Sequence, residues 1–145
     1  MTYRVEAYYL AAHNDAPKIL TSQENIDALV DELLGLTEHN SAATLYNLDR
    51  PSQETGFPDH EFSLAVDRDL RVGGLKFTDA TGNWVSRGSE TDQPKVRRYY
   101  RVGDEIEFGP GSCIPLELVR QAGKEFLTSK GQRPTCVHWQ EDDHV

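Results

Sequence analysis

The chain opens with a segment of strand periodicity and continues into one of helical periodicity. Residues 3–11 carry apolar side chains at both odd and even positions, which predicts a strand covered on both faces for part of its length. Thr21 and Glu24 have the spacing of a capping box, which predicts the start of a helix, and Gly35 lies near its end. Apolar residues recur in between with the i, i+3, i+4, i+7 spacing of an amphipathic helix: Ile26, Leu29, Val30, Leu33 and Leu34.

The middle of the chain is a run of strand patterns separated by turns. Alternation of Phe62, Leu64 and Val66 with polar neighbours predicts a half-buried strand, and the turn at 67–69 makes it one arm of a hairpin with residues 70–77. Further strands are predicted at 42–48, 84–86, 95–102 and 105–108.

A second helix and a last strand complete the pattern. Pro115 suits the first turn of that helix, Gly131 ends it, and residues 135–140 form the strand. Strands grouped together, with helices toward each end, predict an α+β fold with a single largely antiparallel sheet and two helices packed on one face. No repeat or linker divides the chain, so residues 1–145 are predicted as a single domain with an acidic, solvated tail at 141–145.

The charge balance narrows the possible partners. The chain has 145 residues, 24 acidic and 15 basic, a net charge of −9 and a pI near 4.9. Such a balance argues against binding nucleic acid through phosphate neutralisation and permits a basic protein partner. The start of the chain has no secretory signal pattern, and no apolar run approaches the length of a membrane span, so we expect a cytoplasmic protein with reduced cysteines.

No motif in the sequence builds a convincing active site. The chain lacks a Gly-x-Ser-x-Gly elbow, a phosphate-binding loop, a His-Glu-x-x-His zinc motif and the zinc ligands of a deaminase. Asp59, His60 and Glu61 are adjacent, but neighbours on a strand point to opposite faces. We therefore predict no enzyme, no cofactor and no metal, and keep a hydrolase or transferase using these three residues as the minor alternative.

One stretch is basic despite the overall charge. Lys95, Arg97, Arg98 and Arg101 interleave with two tyrosines. Three explanations stay open: ion pairs with neighbouring acids, a protein interface, or a nucleic-acid surface.

Several motifs together resemble a known family. The segment 83–88 (Asn-Trp-Val-Ser-Arg-Gly) is followed by a Tyr-Tyr strand, and the chain closes with a specific pattern: Phe126, Leu127, Arg133, Pro134, Val137 and Trp139. Over about residues 60–140 the chain resembles the first numbered immunity-protein family, which is associated with deaminase toxins in bacterial polymorphic toxin systems.

The resemblance implies a small cytoplasmic α+β protein without catalysis. It would bind a basic, nucleic-acid-acting toxin domain, often a deaminase, and occlude its substrate site, and would be a monomer or weak dimer when free. The alternative is a small-molecule-binding module with a pocket lined by Trp84, Tyr99 and Tyr100, or a regulatory protein-interaction module. The candidate partner-binding residues are Asp59, Glu61, Trp84, Ser86, Arg87, Tyr99, Tyr100, Asp104, Glu105 and Glu107.

Overall fold

A computed structural model of the chain describes residues 2–50, 56–88 and 96–143. Its helices are α1 (Gln23–Gly35) and α2 (Leu116–Thr128), and a 3-10 turn covers Ala11–Asn14. Its strands are β1 (Val5–Tyr8), β2 (Lys18–Leu20), β3 (Ala42–Asn47), β4 (Glu61–Asp67), β5 (Val72–Asp79), β6 (Gly82–Arg87), β7 (Arg97–Arg101), β8 (Asp104–Phe108), β9 (Ile114–Pro115) and β10 (His138–Glu141).

One sheet of eight strands organises the fold. Its order is β10-β6-β5-β4-β3-β1-β2, with β9 beside β5, and every described pairing within it is antiparallel. Strands β7 and β8 form a separate antiparallel ribbon. The predicted α+β class with one main antiparallel sheet is confirmed.

Both helices pack on the same face of this sheet and enclose the main core. Phe62, Leu64 and Val66 of β4 point into it, together with the apolar side of both helices. The helices approach closely at Gly123, where a Cβ atom would lie 2.8 Å from Cγ2 of Ile26. The absence of a side chain there lets α2 lie against α1 above the sheet.

A second, smaller core lies on the opposite face, beneath the β7–β8 ribbon. It contains Ala42, Ala65, Val85, Tyr99 and Phe108. Phe108 lies on the sheet at Gly74, whose added Cβ would come within 2.8 Å of the ring, so the glycine permits this packing. β4 is therefore buried on both faces. The prediction of a half-buried strand was wrong because the ribbon was not expected to cover it.

The boundaries of several elements differ from the sequence prediction. The first strand is shorter than 3–11, and the short edge strand β2 was missed. α1 begins one residue later than predicted, because the side chain of Ser22, not Thr21, accepts the hydrogen bond from the Asn25 N–H. Pro115 precedes α2 as its N-cap.

The C-terminal acidic segment is not a solvated tail as far as the structure describes it. Glu141 belongs to β10, and Asp142 is buried, with its carboxylate 3.0 Å from Nζ of Lys76. His144 and Val145, like Lys95 at the start of the predicted basic strand, lie outside the described residues.

Candidate functional site

The sheet face opposite the helices presents its side chains in rows that cross the strands. In the first row Glu6 of β1 lies opposite Tyr46 of β3, and Glu61 of β4 lies opposite Thr78 of β5, which lies opposite Asn83 of β6. The Tyr46 hydroxyl donates a 2.7 Å hydrogen bond to Glu61, which joins the part of the row on β1 and β3 to the part on β4, β5 and β6. Residues directly opposite on antiparallel strands share a face, so the row is continuous.

The ribbon covers only part of this face. A second row contains Tyr8, Thr44, Ser63, Lys76 and Val85. A third row of small residues, Ala42, Ala65 and Gly74, lies under Phe108. Beside the ribbon remain two adjoining hollows of about 800 Å³ and 890 Å³, which share Glu61, Thr78 and Arg101. We name this surface the acidic groove; its carboxylates are those of Glu6, Asp59, Glu61, Asp79, Asp104, Glu105, Glu107 and Asp143.

The groove concentrates the negative charge of the chain. Its lining holds eight carboxylates and two cations, Lys76 and Arg101. Arg50 and Arg98 pair with four of the carboxylates, and Lys76 pairs with Asp142. Glu6, Asp104 and Asp143 have no ion-pair partner among the described residues. A concave surface lined by one sign of charge focuses the electrostatic field on an incoming partner of the opposite sign.

Two tyrosines provide the aromatic part of the groove. The rings of Tyr8 and Tyr46 meet edge to face, with centroids 5.9 Å apart. Burial raises the pKa of Tyr46, and the hydrogen bond to Glu61 raises it further, so its hydroxyl stays protonated and donates. Tyrosines held in this way offer rigid contact area to a partner.

An arginine bracket closes one end of the groove. Arg50 places Nε 2.8 Å from Asp59 and Nη2 3.3 Å from Asp79, and its Nη1 donates to the Gly131 carbonyl at 2.8 Å. Burial would raise the pKa of Asp79, but hydrogen bonds from Thr81 and Arg50 outweigh it and hold the pKa below its usual range. The bracket therefore keeps the Asp79 carboxylate ionised and holds both carboxylates in place.

The histidine beside this bracket is held by both ring nitrogens. The Asn47 N–H donates to Nε2 of His60 at 2.9 Å, so Nδ1 carries the proton and faces Asp59 at 3.1 Å. Burial lowers the pKa of His60, which is neutral. Glu61 is engaged separately by Tyr46. The three adjacent residues of the hydrolase alternative line the same hollow, but His60 and Glu61 are each hydrogen-bonded to other groups of the fold and not to each other.

The groove brings together five of the ten candidate residues: Asp59, Glu61, Asp104, Glu105 and Glu107. The last three come from β8 of the ribbon, where Nε of Arg98 lies 3.3 Å from Glu105 and 3.8 Å from Glu107. Residues from the sheet and from the ribbon therefore form one surface.

Two candidates are core residues and are corrected here. Ser86 is fully buried; its hydroxyl donates to the Ser112 carbonyl at 2.7 Å and accepts from the Leu75 N–H at 3.0 Å. Tyr99 is 3% exposed, and its ring packs 4.9 Å from that of Phe108. Neither side chain presents surface to a partner in this structure.

The other three candidates lie outside the groove. Trp84 is half-buried on the helix side of the sheet, with the guanidinium carbon of Arg133 4.3 Å from its ring centroid. Arg87 is exposed, and Tyr100 packs its ring 5.7 Å from that of His39. Trp84 and Tyr99 lie on opposite sides of the sheet, so they do not line one pocket with Tyr100, as the small-molecule alternative requires.

The basic strand divides between two roles. Arg97 lies 3.6 Å from Asp67, and Arg98 pairs with acids of β8, which supports the alternative of ion pairs with neighbouring acids. Arg101 instead lines the groove.

Groove residues that were not among the ten candidates include Glu6, Tyr8, Tyr46 and Asp79, while Arg101 was named only as part of the basic strand. The signal that could have found the first three is strand parity. In β1 and β3 they alternate with core residues, so they must point to the face opposite the helices.

Within residues 2–50, 56–88 and 96–143, no group of three or more histidine, cysteine or acidic residues could hold a metal ion. Neither helix in the same part of the chain is long and apolar enough to cross a membrane.

Comparison with known proteins gives one family. The sequence model described as "Immunity protein Imm1" matches residues 14–141, which include both helices and the strands from β2 to β10. A comparison with curated proteins gives no match.

Proposed function

The chain belongs to the Imm1 immunity protein family, and from this we propose that it neutralises a cognate toxin domain by binding it. The observation that carries the proposal is the family match itself, which spans residues 14–141. Membership in this family implies a toxin-neutralising immunity function.

The proposed target is a toxin that acts on nucleic acid, of which a deaminase is the leading case because the family resemblance implies it. An enzyme that acts on nucleic acid has a basic substrate cleft, which an acidic protein complements. The net charge of −9 supports occlusion of that cleft as the means of inhibition.

We further propose that inhibition is stoichiometric and non-catalytic. Support comes from the side chains that could have served as catalysts. Both ring nitrogens of His60 are hydrogen-bonded within the fold, and the Ser86 hydroxyl is engaged on both its donor and acceptor sides. The proposal includes a cytoplasmic location and a free protein that is a monomer or a weak dimer.

The test uses the toxin domain encoded immediately upstream of the gene. Growth of cells that express the toxin domain should be restored when this chain is co-expressed, and the purified pair should bind at micromolar concentration or below. Toxin activity in vitro should fall to zero at one equivalent of this protein. No binding and no protection would overturn the proposal, and inhibition at far below one equivalent would overturn the stoichiometric part.

A further inference from the structure

We propose that the acidic groove is the toxin-docking surface and that its occupant is a segment of the toxin domain carrying arginine or lysine side chains. This inference rests on the proposed function and adds the face and the chemistry of contact.

The first step concerns coverage. The helices cover one face of the sheet, and on the other face the ribbon lies over the third row and over Val85 of the second row, in which Thr44 and Ser63 are also buried. Beside it, Glu6, Tyr8 and Tyr46 are partly exposed, and Glu61 is exposed. The first row crosses five strands, a width of roughly 19 Å, which exceeds the roughly 10–12 Å diameter of a helix with its side chains. The groove can therefore accept one secondary-structure element of a partner.

The second step concerns charge. On the outer side of the helix layer, Asp27 contacts Lys124 at 2.8 Å and Arg120 at 3.1 Å, and Asp31 also contacts Arg120. The exposed Glu24 and Glu117 make no ion pair among the described residues. In the groove, Arg50 and Arg98 pair with four of the eight carboxylates. The other four, those of Glu6, Glu61, Asp104 and Asp143, have no ion pair among the described residues. Uncompensated acid in a concave surface is complementary to a basic partner and disfavours an acidic one.

The third step concerns the residue that would be bound. Glu6 lies directly opposite Tyr46, and Tyr46 holds Glu61 by its hydroxyl, so a carboxylate stands on each side of an aromatic ring. A guanidinium or ammonium group placed here meets opposite charge from both carboxylates and the π face of a tyrosine. The row therefore fits a basic side chain better than an apolar one.

The principal experiment compares two double variants with the same change in charge. Glu6→Gln/Glu61→Gln removes two groove carboxylates and keeps the hydrogen-bond acceptor that Tyr46 needs. Glu24→Gln/Glu117→Gln removes two exposed carboxylates from the first turns of the helices, on the other side of the sheet. Affinity for the purified upstream toxin domain is measured by biolayer interferometry, and thermal unfolding checks that each variant is folded.

The groove variant should weaken binding about tenfold, chiefly through slower association at low salt, while the helix variant should stay within about twofold. The dependence of association on salt should also become shallower for the groove variant only. If Glu6→Gln/Glu61→Gln fails to fold, Asp104→Asn/Asp143→Asn changes the same surface at its rim and should give the same result.

The chemistry of the occupant is tested by replacing Tyr46 with the photo-cross-linker p-benzoylphenylalanine. The toxin peptide captured there should be rich in arginine and lysine; capture of an acidic or purely apolar peptide would overturn the proposal. Equal effects of the two double variants would overturn the assignment of the face and leave the immunity function intact. Failure of the unmodified protein to bind would overturn the function and this inference together.

Discussion

The arginine bracket at the end of the groove should be intolerant of lysine. In Arg50→Lys the positive charge is kept, but three contacts made by three different nitrogen atoms must be replaced by one ammonium group. The Arg50 side chain is 12% exposed, and the carboxylate of Asp79 is 13% exposed, so solvent cannot readily substitute for the lost contacts.

The expected loss follows from the individual contacts. A lysine that keeps its pairing with Asp79 loses the hydrogen bond to the Gly131 carbonyl, and hydrogen bonds of charged groups are worth about 1.5–3 kcal/mol. It also loses the contact with Asp59, whose side chain is 33% exposed, so that term is discounted to about 0.5–1 kcal/mol. We expect Arg50→Lys to lower the free energy of unfolding by about 2–4 kcal/mol.

Urea unfolding followed by tryptophan fluorescence measures this change, because Trp84 and Trp139 are both packed against the main core. With a slope of about 2 kcal/mol/M, the midpoint should fall by about 1–2 M. Arg4→Lys is the matched control, since Arg4 is 55% exposed and makes one ion pair with Asp49 at 3.4 Å. Its cost should stay below about 0.5 kcal/mol. If the two midpoints shift equally, the bracket does not stabilise the fold as argued.

Three further predictions concern pH, the ribbon turn and the ribbon core. Because the pKa of His60 in the folded state lies below its unfolded value of about 6.5, its stabilising contribution is complete above that pH and is lost as pH falls below it. The urea midpoint should therefore drop between pH 7.5 and 5, and less so in His60→Gln; an equal drop in both proteins would count against the assignment. Val102 has a φ of 50° in the two-residue turn of the ribbon, so Val102→Asn should raise stability by about 1 kcal/mol, and a lower melting temperature would contradict this. Gly74→Ala should destabilise by about 1–3 kcal/mol through its clash with Phe108, and adding Phe108→Leu should recover part of the loss; a neutral Gly74→Ala would show that the ring moves freely.

Much of the fold could be predicted because its longest elements carry regular patterns. The apolar spacing of α1 and the alternation in β4 identify elements of 13 and 7 residues. β2 was missed because three residues are too few to show a period. The second core was missed because Gly74 and Ala65 carry no strong apolar signal, although their small size is what lets the ribbon approach.

The candidate site could be predicted only in part, for a reason of geometry. Composition identified acidic residues as candidates, but their assembly into one groove depends on the register of β1, β3, β4 and β5. Ser86 and Tyr99 were predicted as partner-binding residues because a polar atom in a motif suggests exposure. In the structure, both side chains are buried by other parts of the fold. The burial of Asp142 could not be predicted from the sequence either, because it depends on a contact with Lys76, which lies 66 positions earlier in the chain.

The ribbon has a consequence for how such a protein can diversify. It carries Asp104, Glu105 and Glu107 into the groove, yet it rests on its own small core and shares no buried residue with the main one. Substitutions along its outer side therefore alter the surface without disturbing the packing of helices on sheet. After gene duplication, one copy can exchange these side chains and acquire a new specificity while the other keeps the old one, and both remain folded.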